Sequence, residues 1–178
     1  FGVLDYANPV TDLLKQAQRH SMLTPWCETE RPKPLNPMPV DVKPQGRGDA
    51  TSFHASMDLA AGWDGWYRHW RRTWDSPTPD TLVITDDWAI SRGEGVIFHW
   101  TTPLPMRIAG PEVIVEGRRA TARIRIPDGA EARIEHLILQ DPRRTAVEAS
   151  RRDIAQFGLH PAGTQPILTF RQRGQSGT

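Results

Sequence analysis

From about residue 50 onward, apolar positions recur every second residue, in short runs separated by turn-forming residues. Successive side chains of a β-strand point to opposite faces, so period two means a strand with one buried and one wet face. In "RATARIRIP", Ala120, Ala122, Ile124 and Ile126 alternate with Thr121, Arg123 and Arg125. "ARIEHLILQ" repeats the alternation after a "PDGA" turn, and Asp128-Gly129 is a hairpin signal, so these two segments are expected to pair with each other. "WYRHWRRTW", a turn "DSPTPD", "TLVITDDWAI", "EGVIFHWTT", "MRIAGPEVIVEG" and, near the C-terminus, "PILTFRQRG" read as further strands. Helical spacing is nearly absent after residue 20; before it, "TDLLKQAQ" makes one turn, with Thr11 or Asp12 as its cap. Residues 28–50 hold five prolines between Pro32 and Pro44, which withhold ladder donors and predict an extended surface loop. The expected fold class is therefore all-β: an antiparallel β supersandwich of stacked sheets, with a short N-terminal helical or irregular segment. The residues "RQRGQSGT" follow directly on a strand, and an edge there needs a partner, so a further strand is expected beyond them.

Composition bounds what such a sheet protein does. A chain of 178 residues fits one domain, residues 1–178, with a real core. Lys plus Arg total 22 and Asp plus Glu 21, and the net charge of +1 gives no general reason to expect a nucleic-acid partner. The basic residues are nearly all arginine, with Lys15, Lys33 and Lys43 the exceptions. Arginine's planar fork matches carboxylates and sulfates, which suits an anionic ligand, although high-GC codon usage gives the same excess. Cys27 is the single cysteine, which excludes an internal disulfide and a thiolate metal cluster. No run of about 18 apolar residues exists, so no membrane span is expected.

Motifs with a fixed spacing are few. The six histidines, His20, His54, His69, His99, His136 and His160, include no H-E-x-x-H or H-x-H pair. There is no G-x-S-x-G elbow, P-loop or Gly-rich dinucleotide fingerprint. Asp86-Asp87, after "TLVIT", reads as local hydrogen bonding at a strand end. In "GWDGWYRHWRRTWDS", strict alternation puts Trp66, Arg68, Trp70, Arg72 and Trp74 on one face and Tyr67, His69, Arg71 and Thr73 on the other. Rings interleaved with guanidinium groups stack on sugars and pair with acids. The same spacing also describes a core strand whose arginines reach out at the sheet edge.

The order of several short motifs resembles the C-terminal β domain of the heparinase II/III-like polysaccharide lyases. They are Leu4-Asp5-Tyr6, His20-Ser21, Met57-Asp58-Leu59, the arginine strand from Arg68 to Arg72, Leu82 to Asp86, and Phe98 to Pro103. The resemblance covers roughly residues 1 to 140. It implies a two-domain enzyme in which an N-terminal α/α toroid precedes this β domain. The implied reaction is β-elimination on a uronic-acid polysaccharide: a base removes the C5 proton beside the carboxylate, and the C4–O bond breaks. The implied partners are the acidic polysaccharide and the toroid, and the implied location is periplasmic or secreted.

On this resemblance His20 matches the histidine that the β domain sends toward the cleft and is the candidate catalytic residue. Arg19, Trp70 and Arg72 are the candidate substrate-binding residues. Ser21 stands where the family has Asn, and Trp100 stands where it has a strand histidine, so His99, one position earlier, inherits no role. Relatives that hold a divalent metal such as zinc use a ligand two residues past the histidine. Here that residue is Met22, a poor zinc ligand, and no cofactor is expected. The fragment alone is expected to be inactive, because most catalytic groups of the family lie in the toroid. The rival expectation is a non-catalytic carbohydrate-binding or structural β domain.

Overall fold

A computed structural model describes residues 20–33, 42–63, 65–138 and 164–178. The expected helical turn, the Leu4–Tyr6 motif, Arg19 and His160 lie outside the described residues. The described chain is all-β and antiparallel. Its strands are β1 (Leu23–Trp26), β2 (Gln45–Gly48), β3 (Phe53–Asp58), β4 (Tyr67–Thr78), β5 (Thr81–Ile90), β6 (Gly95–Thr101), β7 (Met106–Ala109), β8 (Glu112–Glu116), β9 (Thr121–Arg125), β10 (Glu131–Ile138), β11 (Thr164–Arg173) and β12 (Ser176–Gly177). They form three sheets, in the orders β1-β6-β11-β10, β12-β5-β4-β3-β2 and β7-β8-β9. The described residues fall into two compact units, one from 20–24, 97–138 and 164–172, the other from 25–33, 42–63, 65–96 and 173–178.

The first unit is a sandwich around an apolar centre. Val113 of β8 and Leu168 and Phe170 of β11 are buried, and Phe98, Trp100, Met106, Ile124, Ile126, Ala130, Ala132 and Ile134 pack against them. The rings of Phe98 and Phe170 stack 6.1 Å apart. These residues come from two sheets, each presenting one side of its alternating strands, which is how a wet-faced strand buries its apolar half.

Here one expectation fails. β9 pairs with β8, and β10 pairs with β11, so the two segments flanking "PDGA" are not hairpin partners. The turn itself forms: Ala130 N donates to Pro127 O, and Gly129 takes φ +74°, a conformation that glycine adopts without strain. It carries the chain from one sheet to the other rather than back along the same one. Period two specifies a strand with one apolar face, and two such strands satisfy it equally well side by side or across a core.

The second unit is a five-stranded sheet built on the long β4–β5 hairpin. β4 is longer than expected: it continues through Asp75 to Thr78, leaving a two-residue Pro79-Asp80 turn. Between the pairs Asp75–Val83 and Thr78–Thr81 the register slips, and Pro77, which has no N–H to donate, sits at that irregularity. β2 lies inside the stretch expected to be loop. It is a four-residue edge strand joined to β3 by a turn in which Asp49 accepts from Thr51 N at 2.7 Å and Ser52 N at 2.9 Å. Those bonds, Thr51's first, hold the Asp49 carboxyl below its usual range. At the other edge Ser176 and Gly177 pair with Ala89 and Trp88, so the residues expected to leave an open edge supply β12.

Leu168 is fully buried at the centre of the first unit. Truncating it to Ala removes apolar contact and leaves a cavity, so Leu168→Ala is expected to lower unfolding stability by about 2–5 kcal/mol, measured by urea denaturation.

Candidate functional site

A bulge decides which residues of the tryptophan–arginine strand face the core. Tyr67 pairs with Ile90 and His69 with Ala89, so Arg68 is an extra residue on β4. The strict alternation therefore breaks at Arg68, which is exposed, while Tyr67 joins the buried side with Trp70 and Arg72. Trp63 meets Tyr67 edge-on at 6.4 Å, and Tyr67 lies 5.0 Å from Trp70.

Inside this aromatic layer sits Asp86. Its Oδ1 accepts from Trp70 Nε1 at 2.7 Å and from Arg72 Nε at 2.7 Å, and its Oδ2 accepts from Arg72 Nη2 at 2.8 Å. The Arg72 guanidinium lies 5.6 Å from the Trp70 ring and 5.8 Å from the Trp74 ring. Burial, reinforced by the Asp86 charge, pushes the Tyr67 phenol well above its usual range, so it stays protonated. Two candidate substrate-binding residues are thereby relocated. Trp70 is 1 % exposed and Arg72 4 %, and both are committed to Asp86, so neither is presented to a ligand. Asp86 is likewise not a strand-end cap, because β5 runs through it.

The opposite side of the same sheet is polar. In-register and diagonal neighbours place His54 Nδ1 2.5 Å from Asp75 Oδ1 and His69 Nε2 3.0 Å from Asp87 Oδ2. Arg71 Nη2 donates to Ser56 Oγ at 2.8 Å. The sequence lists these histidines but not their partners, which become neighbours only through cross-strand register. All four carboxylate and imidazole side chains of these pairs are more than 40 % exposed, which makes them weak as structural ties. Among the described residues no group of three or more His, Cys, Asp or Glu side chains is placed to hold a metal ion.

His20 belongs to the first unit, at an exposed bend just ahead of β1. Two residues later the chain is fixed: Met22 N donates to His99 O at 3.1 Å, and His99 N donates to Met22 O at 2.8 Å. Among the described residues the His20 side chain makes no hydrogen bond or ion pair, and Ser21 beside it is also exposed. His99 is the contrasting case. It is 8 % exposed, with Nε2 2.8 Å from Thr24 Oγ1, and burial lowers its pKa to about 4. It is a neutral, structural imidazole near neutral pH. Neither a protein-family model nor a curated protein matches this chain.

Two outcomes follow from these geometries. Removing one partner of the Asp86 network strands a buried charge, so Asp86→Ala is expected to cost about 3–5 kcal/mol of stability, read by chemical denaturation. A neutral His99 disfavours its charged form only in the folded state. Its contribution is therefore fully present above the unfolded value near 6.5 and is lost as pH falls toward about 4. The loss is on the order of 3 kcal/mol at the acid end, and His99→Gln is expected to flatten that limb of the stability–pH curve.

Proposed function

We propose that this chain is the β-sandwich part of a heparinase II/III-like lyase that cleaves acidic, uronate-containing polysaccharide by β-elimination. The observation that carries the reading is the position of His20: exposed, uncommitted to any described side chain, and anchored two residues away by the β1–β6 ladder. An all-β antiparallel fold is also the one the motif resemblance calls for. In this reaction the substrate carboxylate must be neutralised as charge develops at C5, an electrostatic task of the oxyanion type. Histidine suits it, as a charged donor to the carboxylate or as a carrier of the abstracted proton near neutral pH. His20 takes that role, and an α/α toroid supplies the remaining catalytic groups. The intact enzyme works in the periplasm or outside the cell, where its substrate is found.

The rival reading, a carbohydrate-binding module, puts its contact surface on the tryptophan–arginine strand. That surface loses Trp70 and Arg72 to the interior.

The test compares the full-length protein with its His20→Ala variant on uronate polymers, following the absorbance of unsaturated product. Loss of a positioned acid–base or carboxylate-binding group is expected to reduce turnover by at least about 100-fold. Equal product formation by the two proteins removes His20 from the mechanism. The 178-residue chain by itself is expected to produce no unsaturated sugar.

A further inference from the structure

We propose that the tip of the β8–β9 hairpin is a subsite for the anionic group of an acidic saccharide, a carboxylate or sulfate held by Arg118 and Arg119. The inference rests on the acidic-polysaccharide reading above and adds to it a place where this chain grips substrate.

The hairpin closes tightly. Glu116 pairs with Thr121, and Gly117 N donates to Ala120 O at 3.0 Å, which leaves Arg118 and Arg119 as the two residues of the tip. Beside them lies an open cavity of about 540 Å³ lined by Leu104, Gly117, Arg118 and Arg119. Gly117 is what lets the hairpin and the cavity wall coexist. A Cβ there would stand 2.9 Å from Ala120 O and 3.6 Å from Leu104 Cδ1. Leu104 is 39 % exposed, and its backbone N–H donates to Thr102 Oγ1 at 3.2 Å, with Thr102 buried.

The charges in this sheet are distributed unevenly. Arg107 is paired with Glu116 at 3.2 Å, Arg123 with Glu112 at 2.9 Å, and Arg125 with Asp128 at 3.6 Å. Arg118 and Arg119 are exposed, pair with no acid among the described residues, and share a cavity whose lining contains no carboxylate. Two guanidinium groups that line one cavity without a carboxylate suit an anion there, which accepts charge-assisted, bidentate hydrogen bonds from them. The apolar Leu104 side chain at the wall suits the C–H face of a pyranose ring. Anionic group and sugar face together define an acidic saccharide rather than a free inorganic ion.

Calorimetry on the 178-residue chain tests this with three probes. They are an alginate oligosaccharide, which carries carboxylates alone, a heparin oligosaccharide, which adds sulfates, and a carboxyl-reduced, uncharged alginate oligosaccharide. The expected result is binding of one or both acidic probes, no binding of the neutral one, and a loss of about tenfold or more in R118Q/R119Q. R118K/R119K, which keeps the charge and loses the fork, is expected to fall between the two. Affinity confined to heparin assigns the anion as sulfate. Undiminished binding by R118Q/R119Q, equal binding of the neutral probe, or no binding of either acidic probe by the wild-type chain overturns the subsite. The lyase assay separates the two proposals: turnover that depends on His20 while R118Q/R119Q leaves KM unchanged removes the subsite and leaves the lyase reading standing.

Discussion

The five-stranded sheet depends on a single carboxylate placed among tryptophans. Asp86 carries its charge into an aromatic layer, where desolvation costs several kcal/mol unless the ion is fully partnered. Arg72 supplies a two-point guanidinium contact and Trp70 its indole N–H, so three donors converge on the two oxygens. The geometry requires Trp70, Arg72 and Asp86 to share one side of neighbouring strands, with Trp70 opposite Trp88 and Arg72 opposite Asp86. That requirement fixes the register of the β4–β5 hairpin, because a slip by one residue would leave a buried charge without its partner. The bulge at Arg68 fits the same logic: it lets Tyr67 turn inward onto Trp70 and sends an arginine with no interior partner to solvent.

Once the inner side is fixed, the outer side of that sheet follows by alternation, and it is there that His54, His69, Arg71 and their partners gather. Of the two readings that its spacing allows, a sugar-stacking surface and a core strand, the structure has the core strand, with His69, Arg71 and Asp75 on the side away from Trp70. In the other unit the two histidines near β1 divide sharply. His99 is stripped of water and kept neutral, whereas the His20 side chain, exposed ahead of the ladder that His99's own backbone builds, makes no hydrogen bond among the described residues. Burial, and not residue type, separates the histidine that faces solvent from the one that does not.

The sequence made strands legible because runs rich in apolar residues alternate with turn signals, with period two kept in β10 and broken by the bulge in β4. It left pairing illegible for a physical reason: alternation records which face of a strand is apolar and carries no label for the neighbour. β9 and β10 therefore read as a hairpin, although each pairs elsewhere and both turn their apolar sides to the cluster around Leu168. β2 was hidden by its two glycines and by the proline-rich run ahead of it, because its strand character comes from the ladder to β3 and not from its own side chains. Of the candidate site, His20 was legible as a motif. A core position for Trp70 was one of the two readings of that strand, but the burial of Arg72 was not legible, since it turns on Asp86, which sits opposite Arg72 only after the hairpin has formed. Arg118 and Arg119 were ordinary residues of an arginine-rich chain until the turn set them beside an uncharged cavity wall.

The segments of the two units interleave along the chain. The second unit takes described residues between 25 and 96 and then 173–178, so strand β12 pairs with β5 across some eighty intervening residues, whose described part belongs to the first unit. Neither unit can be excised as one continuous piece. A cut after residue 96 deprives the five-stranded sheet of an edge strand and separates the Met22 and His99 partners of the β1–β6 ladder. Such pairings across long sequence separations must close large loops before they are rewarded, which favours slow folding with the late segment joining last. During that interval β5 presents an uncovered edge at Trp88 and Ala89, so during folding β12 serves as a shield against wrong pairing there as well as a part of the sheet.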